Sequence, residues 1–283
     1  MPALRLNTKR VEKPWGRRDL WPGFADVPAG GDPVGEIWFE APGETAGDQH
    51  PLLIKYLFTS EKLSVQVHPD DSYARAHGYP RGKDEAWVIL AADPTAAIAL
   101  GTREVLTREE LRAAALDGSI EQDLDWKAVH AGDFFYSPAG TIHAIGPGLT
   151  LVEIQQNVDL TYRLYDYGRP RELHLDAGVA VANPVPYVAP HIPREAGPGR
   201  TILAEGPAFV IERRTRGADG RIAAGAERPV WLVPLKGGGT IGEARFEAGG
   251  VWLLDEAAAL ALDDGADLLL AYPGADVMDA AAG

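Results

Sequence analysis

The sequence predicts a mainly β protein, a sandwich or barrel of short strands, on three observations. Apolar, β-branched and aromatic segments of six to nine residues recur through residues 1–190. Glycine and proline, 32 and 22 of 283 residues, punctuate them. After a proline-rich break, residues 201–283 return to the same texture.

Taken in order, the strand candidates are "GEIWFEA" (35–41), "LLIKYLF" (52–58), "KLSVQVH" (62–68), "EAWVILAA" (85–92), "AAIALG" (96–101), "DFFYSPAG" (133–140) and "LTLVEIQQN" (149–157). In "KLSVQVH" the period of two puts Leu63, Val65 and Val67 on an apolar face, and Ser64, Gln66 and His68 on the other. Pro69 stops that strand, and "DDSYARAHG" (70–78) reads as a short helix with Asp at its start and Gly at its end. A small helical insertion is expected near 102–124. There Thr107 precedes "REELRAAAL" with Glu110 three residues on, a capping box, and Gly118 marks the stop. The stretch 183–200 holds five prolines and can be neither a helix nor a central strand, so it reads as a linker.

This gives a first unit over 1–182, a linker over 183–200 and a second β unit over 201–283. A faint echo between "AGDFFYSPAG" and "AGGVWLLDEA" suggests that the second unit is a degenerate copy of the first. No histidine follows His191, so the copy would lack imidazoles for a metal.

Composition narrows the chemistry. With no cysteine, disulfides and thiolate zinc sites are excluded, and a metal must use His, carboxylate or amide oxygen. A net charge of −14 argues against a nucleic-acid partner. An anionic substrate would need locally gathered Lys and Arg. The N-terminus has no apolar run of signal-peptide length, and nothing approaches a membrane span, so the expected location is cytoplasmic, with no membrane partner.

Four side chains suit a divalent cation. Gln66 and His68 share a strand face, and Glu85 opens an apolar strand beside Trp87 and Ile89. A carboxylate there is costly unless it is paired or bound to a cation. His143 follows the turn in "GDFFYSPAGTIHAIGPG". Together they offer two imidazoles, a carboxylate and an amide, a set that fits Zn²⁺ or a neighbouring ion. Further on, Glu153, Gln155, Asn157, Thr161 and Arg163 would share one face if the strand keeps its register.

The run Gly132…Pro138-x-Gly140…His143 resembles the second metal motif of the cupin barrels, although Pro147 stands where that motif has Asn. Gln66-x-His68 is a modified form of the first. This combination is similar to the type I mannose-6-phosphate isomerases in their short bacterial form. The resemblance rests on "KPWGRRDLW", "GEIWFE", "LLIKYL", "LSVQVHPDD", "GKDEAWVIL", "GDFFYSPAGTIHAIGPG" and "LVEIQQNVDLTYRLYDYGRPRELHL", spanning about 13–176.

That resemblance implies a cupin-type double-stranded β-helix, a jelly-roll barrel. It implies one Zn²⁺ per chain, with other divalent ions as substitutes, held by Gln66, His68, Glu85 and His143. It implies interconversion of mannose 6-phosphate and fructose 6-phosphate through a cis-enediol, with a sugar phosphate as the small-molecule partner. Arg163 would stabilise the enediolate, against an alternative pairing with Asp159 or Asp166. Glu153 would do acid/base work or else only hold Arg163 or a zinc ligand in place, with His68 and Lys83 as other candidates for the base. Ser64, Lys83 and Arg169 match positions near the phosphate. A cupin phosphoglucose isomerase, an iron-dependent cupin dioxygenase and a non-catalytic sugar-phosphate binder are the alternatives.

Overall fold

The strand Leu52–Thr59 is buried at all eight positions, and its neighbour Leu149–Gln156 likewise. An antiparallel strand with one solvated face would alternate between buried and exposed. Continuous burial requires cover on both sides, and the architecture supplies it. The structure, a computed structural model, describes residues 3–25, 31–44 and 50–279.

These two strands are the centre of a six-stranded antiparallel sheet. Its order is Asn7–Arg17, Val34–Glu40, Leu52–Thr59, Leu149–Gln156, Glu85–Ala92, Phe134–Ser137. One face carries Ile37, Phe39, Ile54, Tyr56, Phe58, Val88, Val152 and Ile154 into a core shared with Phe209, Ile211, Trp231, Val233 and Leu269. The partners belong to a seven-stranded sheet that is built, apart from the short strand Leu4–Arg5, from residues 194–273. The opposite face carries Leu57, Trp87, Ile89 and Leu151 toward Ile98, Leu100 and Ile145. Those come from a five-stranded sheet ordered Tyr162–Tyr165, Val65–Val67, His143–Ile145, Ala97–Thr102, Leu124–Ala128. A four-stranded sheet closes the far side of the seven-stranded one around Val210, Leu232, Trp252, Phe246 and Leu260. The mainly β, barrel-like architecture expected from the sequence is thus present, as a stack of antiparallel sheets.

The helix Arg108–Asp117 lies where the insertion was expected. It packs Leu111, Ala114 and Ala115 with Val65, Val67, Ala99 and Ala144, on the side of the five-stranded sheet away from the six-stranded one. Thr107 Oγ1 accepts from the Glu110 amide at 3.1 Å, Glu110 accepts from the Thr107 amide at 2.8 Å, and Gly118 ends the helix at φ 86°. Replacing Thr107 by alanine is expected to cost about 1 kcal/mol of stability in urea titrations, with activity unchanged. The helix Asp71–Ala76 starts as expected, on Asp70 accepting from the Tyr73 amide at 2.8 Å.

A further helix, Leu175–Val181, lies in a stretch that the sequence reading did not assign to a helix. Gly178 in its middle masks the signal. A Cβ at Gly178 would come within 2.6 Å of Leu164 Cδ2, so glycine is what lets this helix seat against its strand.

The first part of the stretch 183–200 is strapped along the first unit, while Arg194–Glu195 already pairs at the edge of the seven-stranded sheet. The Asn183 amide donates to Gly140 O at 2.8 Å, and the Thr102 amide to Val185 O at 3.1 Å. Tyr187 Oη donates to Tyr136 O at 2.6 Å. Among the described residues no helix is long and apolar enough to cross a membrane.

Candidate metal centre and its cavity

The registers of two facing sheets bring the expected ligands together. In the five-stranded sheet Arg163, Gln66 and His143 are direct neighbours across three strands. In the six-stranded sheet Ser137, Glu85, Gln155 and Leu53 form one row, and Trp87, Glu153, Lys55 and Trp38, two positions along, form another on the same face. Each row alternates faces with its neighbours along the strands, so the polar members stand opposite the apolar core described above.

His68 Nε2 lies 3.3 Å from Glu85 Oε1, and His143 Nε2 lies 3.4 Å from Glu85 Oε2. The ligand atoms of these three buried residues fall within 4.8 Å of one another. Each imidazole is held from behind: His68 Nδ1 lies 2.9 Å from Leu160 O, and His143 Nδ1 lies 3.0 Å from Thr141 O. A carbonyl can only accept, so Nδ1 carries the proton and Nε2 presents its lone pair.

Three electron-rich groups therefore converge in a buried space. Neither oxygen of Glu85 accepts a hydrogen bond, and His68 Nε2 has no hydrogen-bonding partner among the described residues. Lys83 offsets the carboxylate charge from one side, but the imidazole lone pairs still face the carboxylate, and this donor set fits a divalent metal. Gln66 completes it. Its amide nitrogen lies 3.2 Å from His143 Nε2, and a half-turn of the amide would offer oxygen at the same point.

The charges agree with this reading. Burial drives the His68 pKa down to about 4, with the Lys83 ammonium adding to the effect. Burial likewise lowers His143, so both rings are neutral at neutral pH. Burial would raise Glu85, but the Lys83 ammonium beside it outweighs this and holds the carboxyl well below its usual range. Lys83 Nζ stands 2.8 Å from Glu85 Oε1, close in charge but outside hydrogen-bond alignment.

A cavity of about 270 Å³ opens over this cluster. Ser64, Gln66, Lys83, Glu85, Glu153 and Arg163 line it, as do Gln155, Asn157 and Thr161. The strand Leu149–Gln156 ends before Asn157, and Arg163 arrives on a strand of the other sheet. The five polar residues expected on one continuous face thus reach the cavity from two walls.

Glu153 is bracketed by Trp87, whose Nε1–H donates to Oε2 at 2.9 Å, and by Lys55 Nζ at 3.3 Å from Oε1. Burial and the neighbouring Glu85 charge raise its pKa, against the pull of Lys55 and Lys83. Arg163 donates to Glu172 O at 2.7 Å. Its Nε is buried without a partner, and among the described residues it makes no ion pair with Asp159 or Asp166.

Arg169 is placed elsewhere. It is tied to Asp166 at 2.8 Å, to Lys62 O at 2.8 Å and to Glu61 at 3.6 Å, outside the cavity lining. Arg171 is the arginine of that loop that lines the cavity, forked onto Asp166 at 2.6 and 2.7 Å. Lys55 and Glu36 also line the cavity and were not singled out from the sequence. The available signal for Lys55 was a lone ammonium in the otherwise apolar or aromatic run "LLIKYLF".

No protein-family model matches the sequence. The chain is 42% identical over 160 residues to a mannose-6-phosphate isomerase of Streptococcus mutans, covering 53% of this chain and 50% of that protein. It is 45% identical over 146 residues to a mannose-6-phosphate isomerase of Bacillus subtilis, covering 49% and 46%. It thus spans about half the length of the curated relatives it matches. In three dimensions the crystal structure of the mannose 6-phosphate isomerase from Bacillus subtilis superposes with a TM-score of 0.80 at 26% identity, over 96% of this chain and 99% of that one. A zinc-bound mannose 6-phosphate isomerase shares the fold at a TM-score of 0.70 and 15% identity, over 97% of this chain and 100% of that one. The chain is thus similar to mannose-6-phosphate isomerases in sequence over about half its length, and to the Bacillus subtilis enzyme in architecture over nearly all of it.

Proposed function

We propose that this chain interconverts mannose 6-phosphate and fructose 6-phosphate with one divalent metal ion, Zn²⁺ in the first instance. The observation that carries the reading is the convergence of His68, Glu85 and His143 on one buried point at the wall of a polar cavity. The names of the sequence relatives, and the zinc bound by one fold relative, support the substrate and the ion. Gln66, His68, Glu85 and His143 would hold the metal. When bound, it supplies Lewis-acid polarisation of substrate oxygens without redox chemistry.

The remaining steps fall to the protein's own groups. Aldose–ketose isomerisation moves a proton between C2 and C1, so one base on one face of the substrate can serve both halves. Glu153 is assigned to that transfer, because its raised pKa makes it ready both to take and to return a proton. Lys83 is the second candidate. Its position 2.8 Å from Glu85 favours work at the reacting end over a grip on the phosphate. Arg163, with its unpartnered Nε, is assigned to the developing enediolate oxygen. Ser64 remains assigned to the phosphate, with Arg171 as the contact that the loop of Arg169 delivers to the cavity. We further read 1–182 as the catalytic unit and 201–283 as a cupin-like unit without a metal site, since all four ligands precede residue 144.

Elemental analysis of the purified protein, alongside coupled detection of fructose 6-phosphate formed from mannose 6-phosphate, tests this reading. A metal-replete protein with no turnover would reject it. Arg163→Ala is expected to lower kcat about 10²–10³-fold with metal content preserved; undiminished turnover would exclude the oxyanion role.

A further inference from the structure

Gln155 is almost wholly buried, at 1% exposure, yet lines the cavity. Its amide cannot be turned freely. Nε2 donates to Gln156 O at 3.0 Å and to Val158 O at 3.4 Å. Two carbonyls can be satisfied only by the NH₂ end, so the oxygen is fixed as the other end of the amide. That oxygen, Oε1, is buried and accepts nothing among the described residues.

A buried acceptor left unpaired is costly, and in a binding cavity it points to a donor carried by the ligand. The donor's place follows from register. Gln155 stands directly across from Glu85 on the adjacent strand, where same-face side chains start only about 5 Å apart. Gln155 therefore enters the cavity beside Glu85, at the end where the metal would be held. There the oxygens on C1 and C2 are the ones that gain and lose protons in the reaction. The nearest hydroxyl that keeps its proton throughout is the one on C3.

We propose that Gln155 is a specificity-determining residue whose Oε1 accepts a hydrogen bond from the substrate hydroxyl on C3. The inference rests on the isomerase reading given above and adds to it a residue that selects for an open-chain sugar bearing that hydroxyl. It also gives the amide a reason to be pinned from behind. An amide free to flip would accept a sugar lacking the C3 hydroxyl donor equally well, by presenting NH₂ to whatever stood there.

The test compares the wild-type protein and Gln155→Met, each loaded with Zn²⁺, on mannose 6-phosphate and on its 3-deoxy analogue. Wild type is expected to lose about 10–100-fold in kcat/KM on the deoxy compound. The variant should show a similar loss on the parent substrate and discriminate between the two compounds by less than about 3-fold, with zinc content unchanged. Methionine leaves the Gln156 and Val158 carbonyls without their donor, so the variant could fail to fold. The wild-type comparison alone then decides, because a wild type that turns over both compounds equally overturns the proposal. Equal discrimination by a folded variant overturns it too. Wild type inactive on mannose 6-phosphate would instead overturn the isomerase reading, and this inference with it.

Discussion

Glu85→Gln is expected to abolish stoichiometric metal binding and isomerase turnover together. The substitution keeps size and shape but removes the sole anionic ligand of the set, leaving two imidazoles and two amides around a doubly charged ion. Glu85 is 1% exposed, so water cannot make good the missing charge, and a buried cation without an anion is strongly disfavoured. Substitutions of groups that merely support metal ligands already weaken affinity about 10–100-fold. Loss of the charged ligand itself should exceed that, and turnover should fall at least about 10³-fold with the metal. Metal content by elemental analysis, far-ultraviolet circular dichroism and the coupled assay on the same sample check this. A folded variant with full metal and normal turnover would dissolve the proposed centre.

The largest effect on stability is expected far from the cavity, at Glu212. This carboxylate is fully buried and receives Arg200 at 2.9 and 2.6 Å, Arg214 at 2.9 Å and Tyr272 Oη at 2.5 Å. Arg200 also donates to Met278 O at 2.6 Å, tying down the last described residues of the chain. Glu212→Gln leaves two buried guanidiniums without their anion, and should cost about 3–5 kcal/mol at neutral pH, measured by urea unfolding.

The pH dependence has a definite sign. Burial alone would raise Glu212, but its two arginines and Tyr272 hold the folded pKa below the ordinary 4.5. The wild-type advantage is therefore complete above pH 4.5 and is lost as pH falls through the folded value. The gap between wild type and variant should narrow in acid; a gap that widened there would contradict the assignment.

Much of this was legible in the sequence, for reasons that can be named. Strands such as Glu85–Ala92 and Leu149–Gln156 announce themselves by apolar runs of the right length, and the capping box at Thr107 by its spacing. The grouping of His68, Glu85 and His143 was legible mainly through the resemblance to the cupin metal motifs, with the costly place of Glu85 beside Trp87 and Ile89 as the signal from chemistry alone. Less was visible where the signal is three-dimensional. Arg169 and Arg171 are two residues apart in a loop, and only the fold shows that Asp166 holds both while Arg171 alone lines the cavity. The helix at Leu175–Val181 was hidden by a glycine that serves packing. Lys55 was visible as an anomaly, but its partners Glu153 and Glu36 lie on the two flanking strands, a relation that local sequence does not carry.

The double cover of Leu52–Thr59 has a consequence for how this protein can vary. Odd positions such as Lys55 answer to the chemistry, and even positions such as Ile54 answer to the greasy seam behind. One inserted residue would interchange the two sets, driving an ammonium into that seam and an isoleucine into the polar chamber. Length in this strand is therefore locked, while change by substitution remains open one side at a time. The seven-stranded sheet packed against the even positions is what imposes that lock.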